Sequence, residues 1–526
     1  MRVLRPETIL YNARVRTLDP EMEIASAVAV SDGLVLACGE DLPVLALASA
    51  GTEKVNLGGR TVLPGLIDAH IHLELYAQAL ERVDCETASI EECLRRVAHR
   101  AGALPPGSWI LGHGWNQNVW GRYGELHELD AATPHHPVFL AAKSLHAAWA
   151  NSRALALAHL QDESPDPPGG SLSRDPSGKL NGLLFEAATQ VVRDCIPQPT
   201  LDTLVESLSV AQHQLWAVGI TGVHDFDGPR CMAAVQLLRE SGRLGLRVLK
   251  HLQAGSLRPA LELGLRSGFG DDWLRIGNLK LFADGALGTR TAAMIEDYAQ
   301  DPGNRGMLLL DTEAIIETGL SARAGGIGLA IHAIGDLANH HALEAVLRLQ
   351  RAGPPPALPY RIEHLQLLHP QDFVLAAEAG LIASMQPIHA PSDMEMAERH
   401  WGSRTAHAYA WKAFDSLRVP LAFGSDAPVE SPNPFWGLHA AVARSDGRGV
   451  PWHSEQALDM STALRAYTLG PALAAGMGRR QGRLRPGCLA DLIVLDSDPL
   501  TEPVEAVREM LPAGVMVGGV WRTRQF

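Results

Sequence analysis

Leu63-Pro64-Gly65-Leu66-Ile67-Asp68-Ala69-His70-Ile71-His72 is an apolar run that ends in two histidines spaced two apart. In a β-strand, residues i and i+2 point to the same side. His70 and His72 would therefore present two imidazoles to one point at the end of a buried strand, which is half of a divalent-metal site. In a chain with 22 histidines such a pair also arises by chance. A satisfied core histidine is the plainer reading of either residue alone, so the weight of the pair depends on what the rest of the chain sets beside it.

Outward from this run, strand-like and helical patterns alternate. Strands are expected at 62–72, 220–224, 246–251, 276–282, 327–332, 360–365, 382–386 and 421–425, with helical stretches such as 312–324, 337–352 and 370–379 between them. Eight strands alternating with helices predict a (β/α)8 TIM barrel, in which catalytic residues sit at the C-terminal strand ends. The span 77–205 is too long for one strand-to-helix connection and reads as an insertion with its own secondary structure. Within it, 164–178 is dense in Pro, Gly, Ser and Asp and is expected to be a surface loop. Both chain ends look β-rich. Residues 27–30 and 34–37 flank an Asp32-Gly33 turn, 490–495 is a strand, and 515–522 is a hairpin around Gly518-Gly519. The expected organisation is a composite β-sandwich from 1–60 and 480–526, with the barrel at 61–479 carrying the insertion.

A chain of 526 residues with 46% hydrophobic and 20% charged residues has an ordinary globular balance. Its net charge of −14 argues against nucleic-acid or anionic-membrane surfaces, which need clustered Lys and Arg. Cys38, Cys85, Cys93, Cys195, Cys231 and Cys488 are scattered, which fits reduced thiols. The first residues lack a signal-peptide pattern, and no uncharged run has the length of a membrane span. The expectation is a cytoplasmic protein acting on a small molecule, with no nucleic-acid or membrane partner. A homo-oligomer is compatible with this composition.

Polar residues gather at the expected strand ends: His70 and His72 on the first strand, Lys280 and Asp284 at the fourth, His332 on the fifth, Glu363 and His364 on the sixth, and Asp426 at the eighth. Each has a bland reading as a core histidine or a turn cap. Their conjunction at barrel strand ends points to one metal site. Lys280 interrupts an apolar strand, where an unpaired ammonium is costly. Two readings stand. Carbon dioxide can convert the amine into an anionic carbamate that bridges two metals, or a buried carboxylate such as Asp284 can pair with it.

Together these stretches resemble the amidohydrolase superfamily of metal-dependent hydrolases, and within it the amidohydrolase 3 group of YtcJ-like proteins and N-substituted formamide deformylases. The resemblance rests on LPGLIDAHIH, GHGWNQNVW, SLHAAWANSRAL, GITGVHDF, KLFADGALGTRTA, HAIGD, RIEHLQ, SMQPIHA, FGSDAPVE and GRLRPGCLADLIVLD, in order from about residue 60 to 496. It implies a distorted TIM barrel with a small β-sandwich made from both termini. It also implies a zinc site of His70, His72, carboxylated Lys280, His332, His364 and Asp426. One or two zinc ions are open, and the intact Lys280 favours two. Zinc brings the pKa of its water near neutrality, and Asp426 is the expected general base that later protonates the leaving nitrogen.

The candidates for substrate contact are Trp115, Asn116 and Trp120 in the insertion, His224 at the second strand end, and Arg290 after the fourth. Each also has a structural reading: packing of the insertion for the tryptophans, support of the ligands for His224 and Asp225, and an ion pair with Asp284 or Asp336 for Arg290. His146 and Asn151 lie in one of the motifs without an assignable role. The expected activity is zinc-dependent hydrolysis of a non-peptide C–N bond in an amide, N-acyl or N-formyl compound. A deaminase of an aminated heterocycle is the alternative. It is disfavoured because Gly328-Leu329-Ala330-Ile331 offers no acid before His332. A non-catalytic assembly protein is disfavoured by the complete ligand set.

Overall fold

The structure is a computed structural model that describes residues 5–143, 147–445 and 449–526. The chain divides into two compact units, one of residues 1–76 with 204–526 and the other of 77–203. No helix among the described residues is long and apolar enough to cross a membrane.

The larger unit is built on eight parallel strands: β1 Leu66–Ile71, β2 Ile220–Asp225, β3 Arg247–Gln253, β4 Leu274–Phe282, β5 Leu329–Ala333, β6 Arg361–His364, β7 Ile382–Met385 and β8 Leu421–Phe423. They pair in chain order, and β1 meets the end of β8 through Asp426 N–H to His70 O at 2.7 Å and His72 N–H to Ala427 O at 2.9 Å. These strands are runs of Ile, Leu, Val and Ala because a barrel strand is covered on both faces; every residue of β1, β2, β6, β7 and β8 is buried. Helices such as Pro229–Glu240, Thr312–Ala324, Asp336–Arg351 and Asp372–Ala379 follow β2, β4, β5 and β6.

The continuous strand expected at 62–72 is two strands. Thr61–Pro64 belongs to a six-stranded sheet of both termini, where it pairs with Leu492–Leu495, and β1 begins at Leu66. The break falls at Gly65, where a Cβ would lie 2.3 Å from the Thr221 hydroxyl. A second, four-stranded sheet holds Thr8–Tyr11, Ala27–Ser31, Leu34–Gly39 and Glu53–Asn56. Val28, Val30, Val55, Val62, Leu492, Val494 and Met516 from both sheets share one apolar core, the sandwich formed by the chain ends. Its two expected hairpins turn through paired positive φ angles, 50° and 73° at Asp32-Gly33 and 60° and 76° at Gly518-Gly519. Such angles suit two-residue turns between twisted strands.

The unit 77–203 has its own six-stranded sheet and cores. The expected loop at 164–178 holds a strand, Gly170–Arg174, paired with Leu180–Glu186. Its polar composition hid this, because the strand is mostly half-buried and fully buries only Leu172.

Candidate metal centre

The ligand candidates converge at the C-terminal end of the barrel. His70 Nε2 and His72 Nε2 lie 3.5 and 3.4 Å from the same Asp426 Oδ1, and the three donors fall within 4.8 Å of one another. The His364 ring is 5.0 Å from His70 and 4.5 Å from His332. Strand alternation explains the first pair, but the site also depends on unusual backbone. His364 and Asp426 have φ of 75° and 60°, a conformation that L residues adopt sparingly. Gly424 permits the approach of β8 to β1, since a Cβ there would lie 2.4 Å from His70 N. Asp68 locks the same corner by accepting from Ser425 Oγ at 2.5 Å and from the N–H groups of Ser425 and His70, each at 3.0 Å.

Each imidazole has one nitrogen held by the protein, which leaves the other available to an ion. Glu363 Oε2 accepts from His70 Nδ1–H at 2.7 Å, and Asp227 Oδ1 accepts from His72 Nδ1–H at 3.0 Å. The Gln386 amide oxygen holds His364 Nδ1 at 2.8 Å, and the Gly285 carbonyl holds His332 Nε2 at 2.9 Å. Burial pushes His70 down to about 4 and His332 to about 3, with the Lys280 charge acting in the same direction. Both are therefore neutral, as ligands must be. His72 goes the other way. Burial lowers it, but the hydrogen bonds and charges of Asp227 and Asp426 outweigh this and push it up to about 9. Burial would raise Asp426, yet the surrounding imidazoles hold its carboxyl well below the usual range.

Lys280 lies on β4 with its amine 4.6 Å from the Phe226 ring centroid and 4.9 Å from that of Phe282. Among the described residues it has no ion pair or hydrogen bond. Asp284, the alternative partner, is taken up by the N–H groups of Ala293, Ile334 and Gly335 at 2.8 to 3.0 Å. Burial brings Lys280 down to about 8, with Arg361 adding to the effect and Glu363 and Asp426 opposing it. A buried amine without an ion-pair or hydrogen-bond partner, next to His332 and His364, fits the carbamate chemistry. Four imidazoles, a carboxylate and this lysine make a donor set suited to borderline divalent ions such as zinc.

Beneath the ligands runs a charged network that sequence reasoning largely missed. Arg361 and Glu363 are two apart on β6 and face the barrel interior, and both are fully buried. Arg361 donates to Glu363 at 2.5 and 3.0 Å, to Ala69 O at 2.7 Å and to Ser384 Oγ at 2.6 Å. Burial opposes ionisation of Glu363, but the Arg361 charge and the His70 hydrogen bond hold it well below the usual carboxylate range. Phe226 stacks between His70 at 4.0 Å and His251 at 4.2 Å. Oppositely charged residues at i and i+2 of an apolar strand, as in Arg361-Ile362-Glu363, were the available signal. Removing the Glu363 charge with Glu363→Gln is expected to weaken metal binding by about 10- to 100-fold, the scale for losing a carboxylate behind a histidine ligand. A competition titration against a chelator measures it.

The substrate-contact candidates take structural positions. His224 Nδ1 accepts from Arg361 at 2.8 Å and so supports the network inside the barrel. Asp225 pairs with buried Lys250 at 2.8 Å and receives Leu73 N–H at 2.8 Å. Asp225, Asp227 and Cys231 lie close together, but Asp227 is likewise taken up, by His72 and by the N–H groups of Glu74 and Leu75. Arg290 pairs with Asp301 at 2.7 Å, not with Asp284 or Asp336, because its left-handed backbone (φ 54°) sits in the exposed turn after β4. Trp115 is 1% exposed in the core of the unit 77–203, with its indole N–H on Leu140 O at 2.7 Å. Trp120 stacks on it and donates to Thr87 O, and the Asn116 side chain caps the turn Gln117–Trp120. These three hold their own unit together. Asn151 caps the helix Ser152–Leu157, and His146 lies outside the described residues.

A sequence model of the amidohydrolase family matches residues 53–521. The chain is 32% identical to the Arabidopsis thaliana protein LONG AFTER FAR-RED 3, over 94% of this chain and 88% of that one. It is 30% identical to the N-substituted formamide deformylase of Arthrobacter pascens, over 98% of each. Among solved structures, an uncharacterised metal-dependent hydrolase from Pyrococcus furiosus superposes with a TM-score of 0.79 at 31% identity, covering 94% of this chain and all of the other. With this match over most of its length and a convergent set of candidate metal ligands at the barrel mouth, the chain belongs to the amidohydrolase family of metal-dependent hydrolases.

Proposed function

We propose that this protein is a zinc hydrolase that cleaves a non-peptide C–N bond in a small amide, N-acyl or N-formyl compound. The observation that carries the proposal is the approach of His70, His72 and Asp426 within 4.8 Å, with Asp426 shared between both imidazoles. A relative named for N-substituted formamide deformylation supports the bond type. His70, His72, His332, His364, Asp426 and a carbamate formed on Lys280 from carbon dioxide would hold two zinc ions. Zinc bound there would supply Lewis acidity to the scissile carbonyl and acidify water. Asp426 takes a proton from the attacking water. The water oxygen bonds to the carbonyl carbon, the C–N bond breaks, and Asp426 returns that proton to the nitrogen, while the second water proton stays with the oxygen, leaving a carboxylic acid and an amine. Glu363 and Asp227 keep His70 and His72 in the tautomers that face the ion.

Elemental analysis of gently purified protein tests this reading. One to two zinc ions per chain are expected, together with turnover of amides but not of aminated heterocycles. Lys280→Ala should lose metal and activity, with partial rescue of both by short carboxylic acids. Less than about 0.2 metal per chain after reconstitution would overturn the proposal, since an intact ligand set regains its ion.

A further inference from the structure

Phe282 is the last residue of β4 and lies two positions beyond Lys280, so both side chains leave the same face of the strand. Its ring centroid is 5.2 Å from that of His332 and 4.9 Å from the Lys280 amine. Phe226 contacts the same amine from 4.6 Å and is 1% exposed, as expected for an aromatic ring used in packing. Phe282 is 44% exposed. The run Met307-Leu308-Leu309 is also open, at 54%, 36% and 50%. It lies beside the end of β4, with Leu309 N–H on Ala283 O at 2.7 Å. A single exposed apolar side chain is ordinary, but four large ones about one strand end, with Phe282 against His332, mark a surface that awaits an apolar group.

The topology says which part of a substrate arrives there. In a closed barrel of eight strands, β4 and β8 stand on opposite sides. Asp426, at the end of β8, must reach the leaving nitrogen to protonate it. With the nitrogen on the β8 side, the other substituent of the carbonyl carbon is directed toward β4.

We infer that Phe282 is a specificity-determining residue that packs the acyl substituent of the substrate, so that the preferred substrates carry an aryl or branched-alkyl acyl group rather than a formyl group. This inference rests on the hydrolase reading above. Hydrophobic pocket contacts of this kind discriminate by about 10-fold or more.

The test uses the zinc-loaded protein and Phe282→Ala, with Phe282→Leu as a variant that keeps apolar volume. The kcat/KM values for the N-formyl, N-acetyl and N-benzoyl derivatives of one amine are measured, together with the N-benzoyl derivatives of several amines. Calorimetry follows the binding of benzoate and acetate, which represent the carboxylate products. In Phe282→Ala the benzoyl-to-formyl ratio of kcat/KM should fall about 10-fold and benzoate should bind about 10-fold more weakly relative to acetate, with Phe282→Leu intermediate. An unchanged ratio in an enzyme that does hydrolyse amides, or a loss that follows the amine, would overturn the role of Phe282 and leave the hydrolase reading intact. Phe282-dependent benzoate binding in a protein that hydrolyses no amide would support the apolar wall and defeat the hydrolase reading instead.

Discussion

Asp426→Asn is expected to lower kcat by about 10²-fold or more at equal metal occupancy, the scale of lost general acid–base catalysis. On the proposed mechanism the side chain would serve both halves of the reaction. One carboxylate oxygen is 3.4 to 3.5 Å from two ligand imidazoles, and the other faces His389 Nε2 at 3.9 Å. An asparagine has nearly the same shape and can still offer one oxygen. It cannot take up a proton and hand it on. Because the residue is also a candidate ligand, metal content must be measured on the same preparation. A fully loaded Asn variant with near-normal kcat would remove Asp426 from proton transfer.

The second large effect concerns stability. Arg361→Met should destabilise the protein by about 3 to 5 kcal/mol, the usual cost of leaving one partner of a buried ion pair without its counter-charge. Glu363 has no exposure to water and would lose both Arg361 hydrogen bonds, keeping only the bond to His70. The double variant Arg361→Met with Glu363→Gln should recover part of this loss, because it removes the orphaned charge. Denaturant unfolding of the larger unit reads the difference. A single variant within about 1 kcal/mol of wild type would mean that water or a rearranged neighbour solvates Glu363.

These two predictions differ in how far the sequence alone could have led to them. Asp426 follows from its place at the end of an eighth apolar strand, after a first strand ending in His-x-His. Arg361, between Tyr360 and Ile362, carries no local mark beyond its charge and that of Glu363 two residues on. Its importance comes from Ala69, His224 and Ser384, which lie on three other strands and are far from it in the chain. The tryptophans show the reverse case. Aromatic and amide residues at 115–120 suggested a substrate wall, yet the interior of their own unit absorbs Trp115. Composition marks a residue as able to bind an apolar group, but it does not say whether that group is substrate or core.

What the sequence determined by itself is local and periodic. The period-two spacing of His70 and His72, the apolar strand runs, and the Asp-Gly and Gly-Gly turns each follow from backbone geometry within a few residues, and the barrel follows from their repetition. The tertiary structure decided what depends on closure. The meeting of β8 with β1 brings Asp426 to His70 and His72 across more than 350 residues, and the left-handed backbone at His364 and Asp426 aims those side chains. Closure also divided the aromatics, leaving Phe226 sealed under the ligands and Phe282 open above them. The physical reason is that burial and charge pairing depend on distances in space. A linear pattern specifies which face of a strand a residue occupies, while its partner across the barrel exists only once the sheet has closed.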